Sequence, residues 1–162
     1  MDHETVHRPS YAQLALSLEA DESVRVEAGS MVGYSGSVDV RTQAEGGLLK
    51  SLSRSVFGGE GLFLLTLSGS GPAFLSSYGA IDEVEVEPGD SLVVDTGHIV
   101  AFEETLEFSV ERVGGLKSTL FSGEGLVCEF SGEGTVWTQT RSPDAFLSWL
   151  IPKLPVQHTA AQ

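Results

Sequence analysis

Hydrophobic and polar residues alternate with a period of two along much of this chain. Ala12, Leu14, Leu16 and Leu18 interleave with Gln13, Ser17 and Glu19. Val84 and Val86 interleave with Glu83, Glu85 and Glu87, and Leu106, Phe108 and Val110 with Glu107, Ser109 and Glu111. Side chains of an extended strand point to opposite faces in turn, so this rhythm predicts strands with one face on a core and the other in water. Glycine-rich punctuation separates them: Gly58-Gly-Glu-Gly61, Ser68-Gly-Ser-Gly71, Glu87-Pro-Gly-Asp90 and Ser131-Gly-Glu-Gly134. Short strands between such turns predict an all-β sandwich or small barrel. One segment has a different rhythm. Ser142 is a good N-cap, Pro143 fits the first helical position, and Asp144 suits the positive end of the helix dipole. Phe146, Trp149 and Leu150 then fall on one stripe, and Pro152 ends the helix. The stripe is expected to dock on the protein's own β body, with a partner-binding surface as the alternative.

The pattern also repeats. Glu22-Ser-Val-Arg-Val-Glu-Ala-Gly29 matches Asp90-Ser-Leu-Val-Val-Asp-Thr-Gly97, each continuing into an apolar pair, Met31-Val32 and Ile99-Val100. Gly46-Gly-Leu-Leu-Lys-Ser51 matches Gly114-Gly-Leu-Lys-Ser118, and Phe57-Gly-Gly-Glu-Gly-Leu62 matches Phe121-Ser-Gly-Glu-Gly-Leu126. Leu67-Ser-Gly-Ser-Gly71 matches Phe130-Ser-Gly-Glu-Gly134, with Phe74 opposite Trp137. Blocks in one order at a spacing of about 65 residues imply a tandem duplication. The expected division is a disordered N-terminus over 1–9, β modules over 10–78 and 79–141, a C-terminal helix over 142–152 and a disordered tail over 153–162.

Charge narrows the function classes. The 162 residues carry 23 acidic and 9 basic side chains, a formal net charge of −14, scattered along the chain. Scattered acidity reads as an acidic skin, of the kind that high salt favours by screening self-repulsion. It disfavours a nucleic-acid surface, which needs clustered Lys and Arg. Cys128 is the one cysteine, so no intramolecular disulfide can form. The first ten residues lack the basic and apolar regions of a signal peptide, and no apolar run approaches the length of a membrane span. A cytoplasmic location is expected.

Candidate chemistry is sparse. Asp95, His98, Glu103 and Glu104 gather one histidine with several carboxylates, and His98 with Glu103 are the candidates for a cupin-like metal site. Such a site needs further histidines. His3, His7 and His158 fall in segments expected to fray, and Ser30 stands at the first copy's counterpart of His98. A histidine bonded locally in a turn is the simpler reading. Lys117-Ser118-Thr119 follows two glycines but lacks the Gly-Lys pair of a phosphate loop. Cys128 is expected in the core, away from any base that would activate it. Gly59, Glu60 and Gly61 recur as Gly123, Glu124 and Gly125. These glutamates are expected to accept turn amide hydrogens, a structural role. No catalytic residue, cofactor or metal is assigned.

Several runs carry a family resemblance: Gly58-Gly-Glu-Gly-Leu-Phe-Leu-Leu65, Phe74-Leu-Ser-Ser-Tyr-Gly-Ala80, Val93-Val-Asp-Thr-Gly-His98, Val113-Gly-Gly-Leu-Lys-Ser118, Phe121-Ser-Gly-Glu-Gly-Leu-Val-Cys128 and Gln139-Thr-Arg-Ser-Pro143 through Trp149. Together they resemble the mitochondrial biogenesis family typified by altered inheritance of mitochondria protein twenty-four. The resemblance implies TRAP-like modules, named for the tryptophan RNA-binding attenuation protein: short β-sandwiches or double-stranded β-helices set side by side in a ring. That family carries three modules, whereas this chain shows two. The expectation is a non-catalytic scaffold or binding protein that forms a cyclic homo-oligomer and engages a protein or small-molecule partner. The alternatives are the cupin-like metal enzyme centred on His98 and an RNA-binding ring.

Overall fold

The computed structural model describes residues 1–42, 62–112 and 126–155. Within them lie thirteen strands: β1 (Asp2–Val6), β2 (Gln13–Leu18), β3 (Ser23–Glu27), β4 (Met31–Tyr34), β5 (Val38–Thr42), β6 (Leu64–Gly69), β7 (Gly71–Ser76), β8 (Ile81–Val86), β9 (Ser91–Asp95), β10 (Ile99–Glu103), β11 (Glu107–Arg112), β12 (Leu126–Ser131) and β13 (Gly134–Gln139). One helix follows, α1 (Pro143–Leu150). Single helical turns, Ala28–Ser30 and Thr96–His98, join β3 to β4 and β9 to β10. The fold is all-β with one short C-terminal helix, as the alternation predicts. Ala12, Leu14, Leu16 and Leu18 are all buried, while the residues between them face outward.

Three antiparallel sheets result, in the orders β1-β2-β7-β4, β5-β6-β3-β10-β13-β8 and β11-β12-β9. The duplication is written into these orders. Strands β2, β7 and β4 pair as β8, β13 and β10 do, and β5, β6 and β3 pair as β11, β12 and β9 do. Registers coincide as well. Met31 faces Leu75, Gly33 faces Phe74 and Tyr34 faces Ala73; in the second copy Ile99 faces Thr138, Ala101 faces Trp137 and Phe102 faces Val136. Even the register shift at the second position of the strand recurs, between Met31 and Gly33 and between Ile99 and Ala101. The hairpin turns repeat too. Gly69 takes φ +108° where Gly132 takes φ +107°, and a Cβ on Gly69 would stand 2.6 Å from the Ser37 carbonyl oxygen.

The two copies meet in the six-stranded sheet, where β3 of the first pairs with β10 of the second: Val26 opposite Ala101, Arg25 opposite Phe102 and Val24 opposite Glu103. That sheet supplies both hydrophobic cores. Val24, Val26, Leu67, Val100 and Trp137 join Leu14, Leu16, Ala73 and Leu75 of the four-stranded sheet. Phe102, Val136 and Ile99 join Cys128 and Phe130 of the three-stranded sheet. Phe102 stacks edge-on against Phe130 and Phe108, with ring centroids 4.9 and 5.1 Å apart.

Two expectations need correction. The N-terminus does not fray: β1 pairs along its whole length with β2, from Asp2 opposite Ser17 to Val6 opposite Gln13. Its sequence is polar, so burial periodicity does not mark it. Backbone pairing holds it, helped by the His3 ring 5.1 Å from Trp137 and His3 Nε2 at 2.9 Å from Glu83. The helix does form as expected, with Ser142 Oγ accepting from the Ala145 amide at 3.3 Å, and a further helical turn (Ile151–Lys153) holds Pro152. It does not sink its stripe into the β body, because none of its residues is buried. Of the expected tail over 153–162, the part after residue 155 lies outside the described residues.

Candidate functional site

The residues singled out for chemistry are used locally. His98 Nδ1 lies 2.7 Å from the Gln139 carbonyl oxygen, and the Gln139 side chain in turn donates to the Gly97 carbonyl and accepts from the Tyr78 amide. The histidine thus belongs to a closed polar network around the turn before β10. Glu103 lies at the other end of β10, about 16 Å along an extended strand of that length. Its Oε2 accepts from the Thr135 amide at 2.9 Å. Asp95 accepts from the Gly97 amide, and Glu104 bonds Ser23 and Arg25. The structure therefore does not bring His98 and Glu103 together, and no group of three metal-ligating side chains occurs among the described residues. Cys128 is fully buried in the second core, and burial pushes its thiol up to about 12. The repeated turns at Gly59, Glu60, Gly61 and at Gly123, Glu124, Gly125, together with Lys117 and His158, lie outside the described residues.

What the geometry does offer is edges. Each sheet has two, and they differ in chemistry. Strand β1 carries Asp2 and Glu4, β5 carries Asp39 and Arg41, β8 carries Asp82, Glu83 and Glu85, and β11 carries Glu107, Glu111 and Arg112. Charge on an edge strand discourages pairing with another chain. Strand β4 has no charged residue, and β9 has only Asp95 at its end, occupied by its own turn. Among the described residues nothing pairs with the outer side of either strand.

These two strands are the counterparts of the pair that joins the copies: β4 corresponds to β10, and β9 to β3. Their side chains show it. Val100, Phe102 and Trp137 are each 0% exposed, whereas their counterparts Val32, Tyr34 and Phe74 are 56%, 49% and 37% exposed. On β9, Val93 is 58% exposed at the position where β3 holds Arg25. Position-by-position comparison of the two sequence copies contains this signal, since Arg25 against Val93 is a change of kind within matching blocks. Sequence reasoning missed it because exposure is assigned by neighbours, which the sequence does not display.

A second surface surrounds α1. Leu147, Trp149 and Ile151 are exposed, Leu150 is half-buried, and Phe146 lies 6.2 Å from Tyr78, which meets the exposed Tyr11. Lys153 Nζ sits 5.0 Å over the Trp149 ring. Among the described residues no helix is long and apolar enough to cross a membrane.

Comparison with known proteins adds three findings. A family model described as mitochondrial biogenesis AIM24 matches residues 3–57 and 49–141. An uncharacterized protein of Streptococcus pyogenes is 26% identical over 143 residues, which cover 88% of this chain and 55% of that protein. The chain thus spans about half the length of that curated relative. A crystal structure of a Streptococcus pyogenes protein aligns with TM-score 0.55 at 19% identity, covering 94% of this chain and 99% of that one, a likeness of fold.

Proposed function

The chain belongs to the mitochondrial biogenesis AIM24 family, and from that premise we propose that it is a non-catalytic β scaffold that assembles from copies of itself and presents binding surfaces. One observation carries the reading: the two strands equivalent to the internal seam, β4 and β9, are apolar edges of two different sheets and have no partner on their outer side among the described residues. An edge of this kind is a template for another strand. A head-to-tail contact between identical protomers uses two different surfaces, and repeats until a ring closes. The ring arrangement of the attenuation-protein fold is part of this proposal.

The binding half of the reading is supported by α1. A helix with Phe146, Trp149 and Leu150 on one side and no buried residue offers aromatic surface to a protein or small-molecule partner. The local use of His98, Glu103 and Cys128 favours a structural part for each. A cytoplasmic location accords with the free thiol of Cys128. Native mass spectrometry tests the proposal. A single closed oligomer is expected at micromolar concentration, and a monomer persisting at high concentration would overturn it.

A further inference from the structure

The β3–β10 seam fixes more than the fact of association. It shows which backbone positions meet when two copies of the module lie side by side. The corresponding positions on the open edges follow from the shared registers within each copy. Residues 101, 102 and 103 of β10 correspond to Gly33, Tyr34 and Ser35, as the matching β4–β7 and β10–β13 registers require. Residues 26, 25 and 24 of β3 correspond to Val94, Val93 and Leu92, as the β3–β6 and β9–β12 registers require.

We propose that β9 of one copy pairs antiparallel with β4 of a second copy in the register of the internal seam, setting Val94 opposite Gly33, Val93 opposite Tyr34 and Leu92 opposite Ser35. This rests on the self-association reading above and specifies its contact. The four-stranded sheet of one protomer and the three-stranded sheet of its neighbour become one continuous sheet, as the two halves of the six-stranded sheet already are.

Three independent features favour a second copy as the occupant. The register shift in β4 recurs in β10, and β10 still pairs with β3 on its outer side, so the irregularity does not block the edge. The chain's formal charge of −14 would repel a second copy at most surfaces, yet these two edges carry a single carboxylate between them. Two exposed apolar side chains, Val93 at 58% and Tyr34 at 49%, fall directly opposite each other in this register and in no slipped one. Cross-strand aromatic and β-branched neighbours of this sort stabilise antiparallel pairing. The inner seam has the Arg25–Glu104 ion pair at 3.5 Å, whereas the counterparts at the open edges are Val93 and Gly36. The contact between chains is therefore apolar and persists in molar salt.

Disulfide trapping tests the register. Opposed residues of an antiparallel pair lie within the span a disulfide can bridge, and Cys128 is buried and unreactive. The double variant Tyr34→Cys with Val93→Cys is expected to link chain to chain on mild oxidation, giving a ladder on a non-reducing gel. The slipped control, Tyr34→Cys with Leu92→Cys, directs its thiols to opposite faces and is expected to link at least about tenfold more slowly. Should the slipped pair link as fast, or neither link while native mass spectrometry still finds an oligomer, the register is wrong and self-association stands. A monomer in that same measurement removes both. The double variant is also weighed by native mass spectrometry under reducing conditions, so that loss of assembly is distinguished from wrong geometry.

Discussion

At the seam inside the chain, Arg25 lies across from Phe102, its guanidinium 5.1 Å from the Phe108 ring and 6.0 Å from the Phe102 ring, and Glu104 reaches its Nη2 at 3.5 Å. At the open edges the same backbone positions hold Val93 and Tyr34, both about half exposed. Two copies tied by a short linker meet at high effective concentration, so a seam within one chain tolerates a partly desolvated arginine. Chains that must find each other have translational freedom to lose, and apolar burial is the interaction that offsets it. The two copies share the backbone register and differ in the side chains at these positions.

The sharpest way to separate the two regions is to cut equivalent rings. Phe102→Ala empties a fully buried site and is expected to lower unfolding stability by about 3–5 kcal/mol in urea titration. Tyr34→Ala removes the equivalent ring from an open edge. It should leave the unfolding of dilute protein within about 0.5 kcal/mol of the parent, while weakening association by roughly tenfold or more in sedimentation measurements. Equal losses of fold stability at both positions would erase the distinction drawn here.

A swap across the two regions is subtler. Val93→Arg places at the open edge the residue that the inner seam uses, and it should stack on Tyr34 of the neighbouring copy. Association is then retained, whereas Val93→Glu sets a further carboxylate in an acidic protein's interface and abolishes it. A merely sticky apolar patch would lose association with either charge. Within the chain, Arg25→Ala is expected to cost about 1 kcal/mol, and less in molar salt, because Glu104 is partly exposed and screened.

The smallest effect concerns Cys128, whose counterpart in the first copy is Leu65. With the thiol held near 12 rather than the ordinary 9.0, the native protein should not react with a thiol reagent at neutral pH, and should react once unfolded. The native state binds this proton more tightly than the unfolded chain does. Fold stability is therefore indifferent to this group below pH 9 and falls as pH rises from 9 toward 12. Rapid labelling without unfolding would show that the second core opens locally.

Much of the fold was legible because alternation and turns are local signals. The blocks around Glu22–Gly29 and Asp90–Gly97 disclosed the duplication, and Ser142-Pro143-Asp144 disclosed the start of the helix. Strand β1 was not legible, since Asp2-His3-Glu4 is held by backbone pairing to β2 rather than by a buried face. Nor was the exposed state of α1, because an apolar stripe reads the same whether covered or bare. The apolar edges were the least visible part. Val32, Tyr34 and Val93 look like core residues in sequence, yet they lie exposed on β4 and β9 at the sheet margins.

Amide hydrogen exchange, followed as protein concentration is raised, tests the central claim most directly. In dilute solution the amides of β4 and β9 should exchange faster than those of β10 and β3, and at high concentration the four strands should become comparably protected. Persistently fast exchange in β4 and β9 at concentrations where the protein is oligomeric would contradict the account.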